Sequence, residues 1–140
     1  MQNLDKTGQG PSARTTQQTT RATTTRVLGQ EAEDRAWAHL QRAGLTLVQR
    51  NYRTPGRGGG EIDLIVRERD GTLVFVEVRS RRSSSHGGAA ASVGATKRQR
   101  IVRAAQHFLL RWRSLPPCRF DVVTVEGDQV VWLKAAFDAA

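Results

Sequence analysis

The stretch "GEIDLIVRERDGTLVFVEVRSR", residues 60–81, limits the folds open to this chain more than any other. It reads as two apolar runs, 61–67 and 73–79, joined across the turn-forming pair Asp70-Gly71, and so as a β-hairpin. The second run is apolar on both faces, with Leu73 and Phe75 on one and Val74, Val76 and Val78 on the other. Such a strand is central in its sheet and covered on both sides. Yet Asp63 interrupts the first run, Glu77 interrupts the second, and Arg79 follows on the same side as Glu77. A carboxylate buried without a partner is forced to protonate or destabilises the fold.

One account of these charges is a pair of salt bridges, Glu77 with Arg79 and Asp63 with Arg81 or Arg53. A second depends on hairpin register. A two-residue turn at Asp70-Gly71 sets Asp63 against Val78 and puts Asp63 and Glu77 on opposite faces. A loop one residue longer, a type I turn with a glycine bulge, sets Asp63 against Glu77. Two carboxylates in register at a sheet end repel each other unless a cation lies between them. Mg²⁺ suits that place, because it takes one or two carboxylates plus waters and phosphate oxygens. Arg79 on the same face suits a phosphate.

Around the hairpin the chain organises as one α/β domain. Its 140 residues allow one domain and crowd two. Residues 8–26 carry almost no large apolar side chain, so residues 1–26 are expected to be a disordered Thr/Gln/Arg-rich tail and 27–140 the folded domain. From Leu28, the residues Ala32, Ala36 and Leu40 recur at helical spacing beside Trp37, and Gly44 closes that helix. Residues 45–53 read as a strand, 54–60 as a Gly-rich loop, and 79–96 as a long Ser/Gly/Ala/Arg loop in which His86 is a solvated residue. A second helix is expected over 97–113, burying Ile101, Ala105, Phe108 and Leu109. Strands at 119–126 and 129–137 follow around Gly127-Asp128. The order is α-β-β-β-α-β-β: a mixed central sheet flanked by helices, with the second helix crossing over between parallel strands. Within the first helix, Glu33 precedes Ala36 and Trp37 by three and four residues, at the edge of the apolar stripe. Glu31 instead neighbours Asp34 and Arg35 on a solvated face, so Glu33 is the carboxylate expected to join Asp63 and Glu77.

Charge narrows the partners. The formal net charge of +9 favours polyanions, nucleic acid before anionic membrane. The single cysteine, Cys118, forms no intrachain disulfide and builds no zinc cluster with three scattered histidines, which fits a reducing cytosol. No apolar run is long enough to span a bilayer, so no membrane partner is expected and the localisation reads as cytoplasmic.

The arrangement of Asp63 and then Glu77-Val78-Arg79 on the next strand resembles the PD-(D/E)XK nuclease core. "GEIDLI" and "VFVEVRSR" look like the YraN-like family of small bacterial proteins, a branch of that superfamily related to Holliday junction resolvases. The resemblance runs from about Leu28 to Phe137 and includes "NYR", "HGGAAASVGATKRQRI" and "CRFDVV". It implies a restriction endonuclease-like core and metal ligands at Asp63, Glu77 and the backbone carbonyl of Val78. It places Glu33 beside them as the helix-one glutamate, a catalytic residue that binds the metal through water or assists the proton transfer, and it includes Glu61 in the signature. The implied cofactor is Mg²⁺ or Mn²⁺. The implied activity is a structure-specific endonuclease acting on DNA, branched DNA in particular, or on RNA, with a homodimer as the form relatives often take. The departure is Arg79 where the superfamily usually has lysine. Arginine stabilises negative charge but is effectively never deprotonated. Lys97 is the residue able to supply a substitute amine, although a plain phosphate contact is its simpler role. Arg53, Arg57, Arg81, Arg82, Lys97, Arg98 and Arg100 are expected to track the nucleic-acid backbone. The competing expectation is a non-catalytic nucleic-acid-binding module on a nuclease scaffold.

Overall fold

The computed structural model describes residues 28–81 and 93–139. The expected tail, Arg82 and His86 lie outside the described residues. By compactness the chain divides at Glu31/Ala32. Of the first unit the described part is 28–31, the opening turn of a helix.

Helix α1 (28–42) is followed by strands β1 (Thr46–Arg53), β2 (Glu61–Arg67) and β3 (Leu73–Ser80). Helix α2 (Ala95–Leu109) leads to β4 (Cys118–Glu126) and β5 (Gln129–Phe137). The five strands form one sheet in the order β1-β2-β3-β4-β5. Neighbours are antiparallel except β3 and β4, which run parallel, so α2 is the crossover between them. The α/β class and the order α-β-β-β-α-β-β therefore hold.

Alternation along the strands splits the apolar side chains between two clusters. Phe75, Phe120 and Val122 pack with Ile101, Ala104, Ala105 and Phe108 of α2. Val74, Val76, Val123 and Val125 pack with Ala32, Ala36 and Leu40 of α1. β3 is thus covered on both faces, and Leu73 to Val76 are buried.

Helix α2 ends at Leu109, four residues earlier than its periodicity predicts. Short-range turns take over, with Leu110 N–H donating to His107 O (3.2 Å) and Trp112 N–H to Leu109 O (3.0 Å). These turns tighten the chain ahead of Pro116-Pro117, which cannot continue a helix, and Pro117 O accepts from Leu73 N–H (2.8 Å) where β4 begins.

Candidate functional site

The register left open by the sequence is settled by the hairpin loop. Glu68 N–H donates to Thr72 O (2.9 Å), Gly71 N–H donates to Glu68 O (3.0 Å), and Gly71 has φ +95°. Asp70 Oδ1 accepts from Thr72 N–H (2.9 Å). This is the three-residue loop with a glycine in the left-handed region, not the two-residue turn. The ladder then runs Arg67↔Leu73, Val66↔Val74, Ile65↔Phe75 and Leu64↔Val76, the register that, continued by one step, would set Asp63 against Glu77.

The backbone ladder stops at Leu64↔Val76. Val78 N–H donates instead to the Asp63 carboxylate, 2.8 Å from Oδ2. Strand alternation also breaks here, because Ile62 and Ile65 belong to the α2-side cluster while Leu64 belongs to the other. On β1 the residue at the same level, between the pairs Arg50↔Leu64 and Tyr52↔Ile62, is Asn51, with φ +52°. Asparagine tolerates that left-handed conformation better than most residues. Such local breaks re-aim side chains near sites.

Asp63 and Glu77 line one cleft of about 230 Å³ with Gly59, Gly60, Glu61, Lys97, Arg100 and Ile101. Glu77 is 4% exposed, and Lys97 Nζ lies 3.0 Å from its Oε1. Arg79 Nε lies 3.9 Å from the same oxygen. Burial pushes the Asp63 carboxyl up to about 7, with the Glu77 charge adding to the effect, the Val78 N–H opposing it, and Glu33 and Glu61 contributing further repulsion. Burial also raises Glu77, while Lys97 and Arg79 pull it down and Glu61 pushes it up.

One wall of the cleft is set by Gly60. A Cβ at that position would lie 2.2 Å from the Arg100 carbonyl oxygen, so only glycine lets α2 come this close to β2. That approach carries Lys97, in the first turn of α2, to Glu77.

The other expected residues are distributed as follows. Glu33 stands on α1 and is not among the residues lining the cleft. Arg50 lies 3.6 Å from Glu33 Oε2, and the Asn51 amide nitrogen, oriented by its hydrogen-bonding neighbours, donates to Glu33 at 3.1 and 3.3 Å. Burial raises Glu33, against the pull of Arg50. Arg53 pairs with Glu61 at 3.6 Å, and Arg57 is exposed in the loop before β2. Arg81 joins its backbone N–H to Val125 O (2.9 Å). Arg98 Nε donates to Val93 O (2.8 Å), and its guanidinium lies over Phe137. Arg98 therefore faces a larger groove of about 720 Å³, between α2 and the end of β5, where the one carboxylate among the described residues is Asp138. That groove lacks a carboxylate pair, so the smaller cleft is the candidate site.

Among the described residues no three His, Cys, Asp or Glu side chains gather around one point. The donor set of the cleft still fits a hard divalent ion. Two desolvated carboxylates repel each other there, and Mg²⁺ completes its shell with water, carbonyl and phosphate oxygens.

Sequence reasoning passed over Asp121, although it carries the same signal, a carboxylate inside an apolar strand. Asp121 is fully buried. It accepts from Arg119 Nε (2.8 Å) and Nη2 (2.9 Å), Trp132 Nε1 (2.8 Å) and Ala135 N–H (2.9 Å). Arg119 also reaches Glu68 at 3.0 Å. Asp121 is thus saturated by donors within a structural network, whereas Asp63 has one backbone donor and a like-charged neighbour. That contrast separates a structural carboxylate from a site carboxylate. Trp37, Trp112 and Trp132 pack against the two cores.

Residues 32–125 match the profile described as "Uncharacterised protein family UPF0102". A UPF0102 protein of Paracidovorax citrulli (strain AAC00-1) is 68% identical over 136 residues, 97% of each chain. Another, of Acidovorax sp. (strain JS42), is 71% identical over 119 residues, 85% of this chain and 90% of that one. A solved structure titled "Crystal structure of SSO0001" superposes with a TM-score of 0.42 at 14% identity, over 82% of this chain and 54% of that one.

Proposed function

This chain belongs to the UPF0102 family, the YraN-like family that its hairpin resembles, and we propose that it is a metal-dependent, structure-specific nuclease hydrolysing phosphodiester bonds of DNA. The observation that carries the reading is the Asp63–Glu77 pair, two desolvated carboxylates in one cleft, the first raised to about 7 by burial and by the second. A fold that only needed stability would surround Asp63 with donors, as it does Asp121.

Asp63 and Glu77 would hold Mg²⁺ or Mn²⁺, with the Val78 carbonyl as the third protein ligand that the PD-(D/E)XK resemblance implies. Once bound, the ion polarises a phosphate and lowers the pKa of a water. The water oxygen would add to phosphorus as the water gives up one proton, the opposite P–O ester bond would break, and the leaving alkoxide would take up one proton, so the proton count is unchanged. Arg79, on the Glu77 side, stabilises the charge that grows on the phosphate oxygens. Glu33 acts on Asp63 through its charge and fixes Asn51 at the level where the strands bend. Arg53, Arg57, Arg81, Lys97, Arg98 and Arg100 supply sequence-independent attraction, so binding weakens steeply as salt rises. Such contacts suit recognition of a branched shape rather than of a base sequence.

The test is cleavage of end-labelled branched, flapped and linear DNA with Mg²⁺ or Mn²⁺, comparing the wild type with a folded Asp63→Ala variant. Cutting that needs the metal and is lost in the variant is the expected result. A second reading, a nucleic-acid-binding module that does not cut, is favoured by Arg79, a side chain that cannot give up its proton. Salt-sensitive binding without cleavage in either protein would select it. Among the described residues no helix is long and apolar enough to cross a membrane.

A further inference from the structure

We propose that Lys97 is a resident counter-ion of Glu77, which a divalent cation must displace and which then moves onto the substrate phosphate. This rests on the nuclease reading above and assigns Lys97 a role within the same site. Lys97 Nζ sits 3.0 Å from Glu77 Oε1, the oxygen that Arg79 approaches at 3.9 Å. Glu77 is 4% exposed, so its charge is tolerated in the absence of metal only beside such a cation. Lys97 is 48% exposed. Its flexible four-carbon stem therefore releases the carboxylate without disturbing the core.

The helix that carries Lys97 is held in place. α2 already lies so close to β2 at Gly60 that a Cβ there would come 2.2 Å from the Arg100 carbonyl oxygen, so the moving part is the side chain and not the wall. The residues that compete for the freed ammonium are few. No Asp or Glu occurs between Glu77 and Asp121 in the sequence, so α2 carries none. The other charged groups lining the cleft are Glu61, Asp63 and Arg100. With the carboxylate pair given over to a doubly charged ion, an anionic phosphate entering the cleft is the natural partner for Lys97. The amine that Arg79 cannot provide is in this way supplied by α2.

The experiment titrates Mn²⁺ into the metal-free full chain at pH 8.5 and reads free Mn²⁺ by electron paramagnetic resonance. The proteins are the wild type, Lys97→Met, Lys97→Arg and Asp63→Asn, each verified as folded by circular dichroism. Lys97→Met removes the competitor and should bind Mn²⁺ about three- to tenfold more tightly, the scale of a partly exposed ion pair with one buried partner. Lys97→Arg keeps the positive charge and should stay near the wild type. If Asp63→Asn abolishes binding but Lys97→Met binds Mn²⁺ no more tightly than the wild type, the cation site stands and the counter-ion role is overturned. If the wild type shows no Mn²⁺ binding that depends on Asp63, the nuclease reading falls and takes this inference with it.

Discussion

Replacing Asp63 by asparagine should make the metal-free protein more stable, and more so as the pH rises. Asparagine keeps an oxygen to accept from Val78 N–H, the 2.8 Å bond that closes the hairpin at this level. It removes the charge that burial and Glu77 both oppose. A carboxyl at about 7 in the folded chain, against an ordinary 3.8, binds its proton more tightly when folded. Wild-type stability is therefore untouched by this group at low pH and is lost as pH climbs from about 4 through about 7. The full cost corresponds to on the order of 4 kcal/mol. Because Asp63 and Glu77 share their repulsion, a gain of about 2 kcal/mol or more is expected for Asp63→Asn at pH 8.5. For a domain of this size that is a rise in melting temperature of roughly 8 °C. The assay is urea unfolding in EDTA from pH 4 to 8.5 for both proteins. Their stabilities should coincide near pH 4 and diverge up to about pH 8. Adding Mg²⁺ should then stabilise the wild type and leave Asp63→Asn unchanged, because only a site that binds the ion gains from it. A variant less stable than the wild type at pH 8.5 would show that Asp63 contributes to the fold and would refute the account of a strained carboxylate pair.

Three further outcomes follow from the geometry. Gly60→Ala should lower stability by about 1–3 kcal/mol through its clash with the Arg100 carbonyl and should also change Mn²⁺ affinity, since α2 must move and take Lys97 with it; thermal melts and metal titration read the two effects. Asp121→Ala strands Trp132 Nε1 and Ala135 N–H and leaves the Arg119 guanidinium with Glu68 alone, and should cost about 3–5 kcal/mol by urea unfolding. Gly71→Ala, at φ +95°, should cost about 1 kcal/mol in the same assay, and a loss within error of zero would mean that the three-residue loop is not what holds the register.

Local patterning was enough to place the elements and to single out Asp63 and Glu77 as candidates. Period-two and period-3.6 patterns are local, so the strands around Asp63 and Glu77, the central place of β3, and the buried face of α2 at Ile101, Ala105 and Phe108 were all legible. A carboxylate inside an apolar strand is also visible in sequence, but what it does there is not. Asp121 carries the same signal as Asp63, and only the donors gathered by packing separate them. Tertiary structure likewise decided the hairpin register, because one residue in the loop changes which side chain faces Asp63. It turned Glu33 toward Arg50 and Asn51 rather than into the cleft. It brought Lys97 to 3.0 Å from a glutamate twenty residues earlier in the chain. That distance follows from how closely α2 lies on β2, which Gly60 permits by lacking a side chain. Periodicity reports which way a residue points along its own element, whereas the separation of two elements is set by the atoms between them.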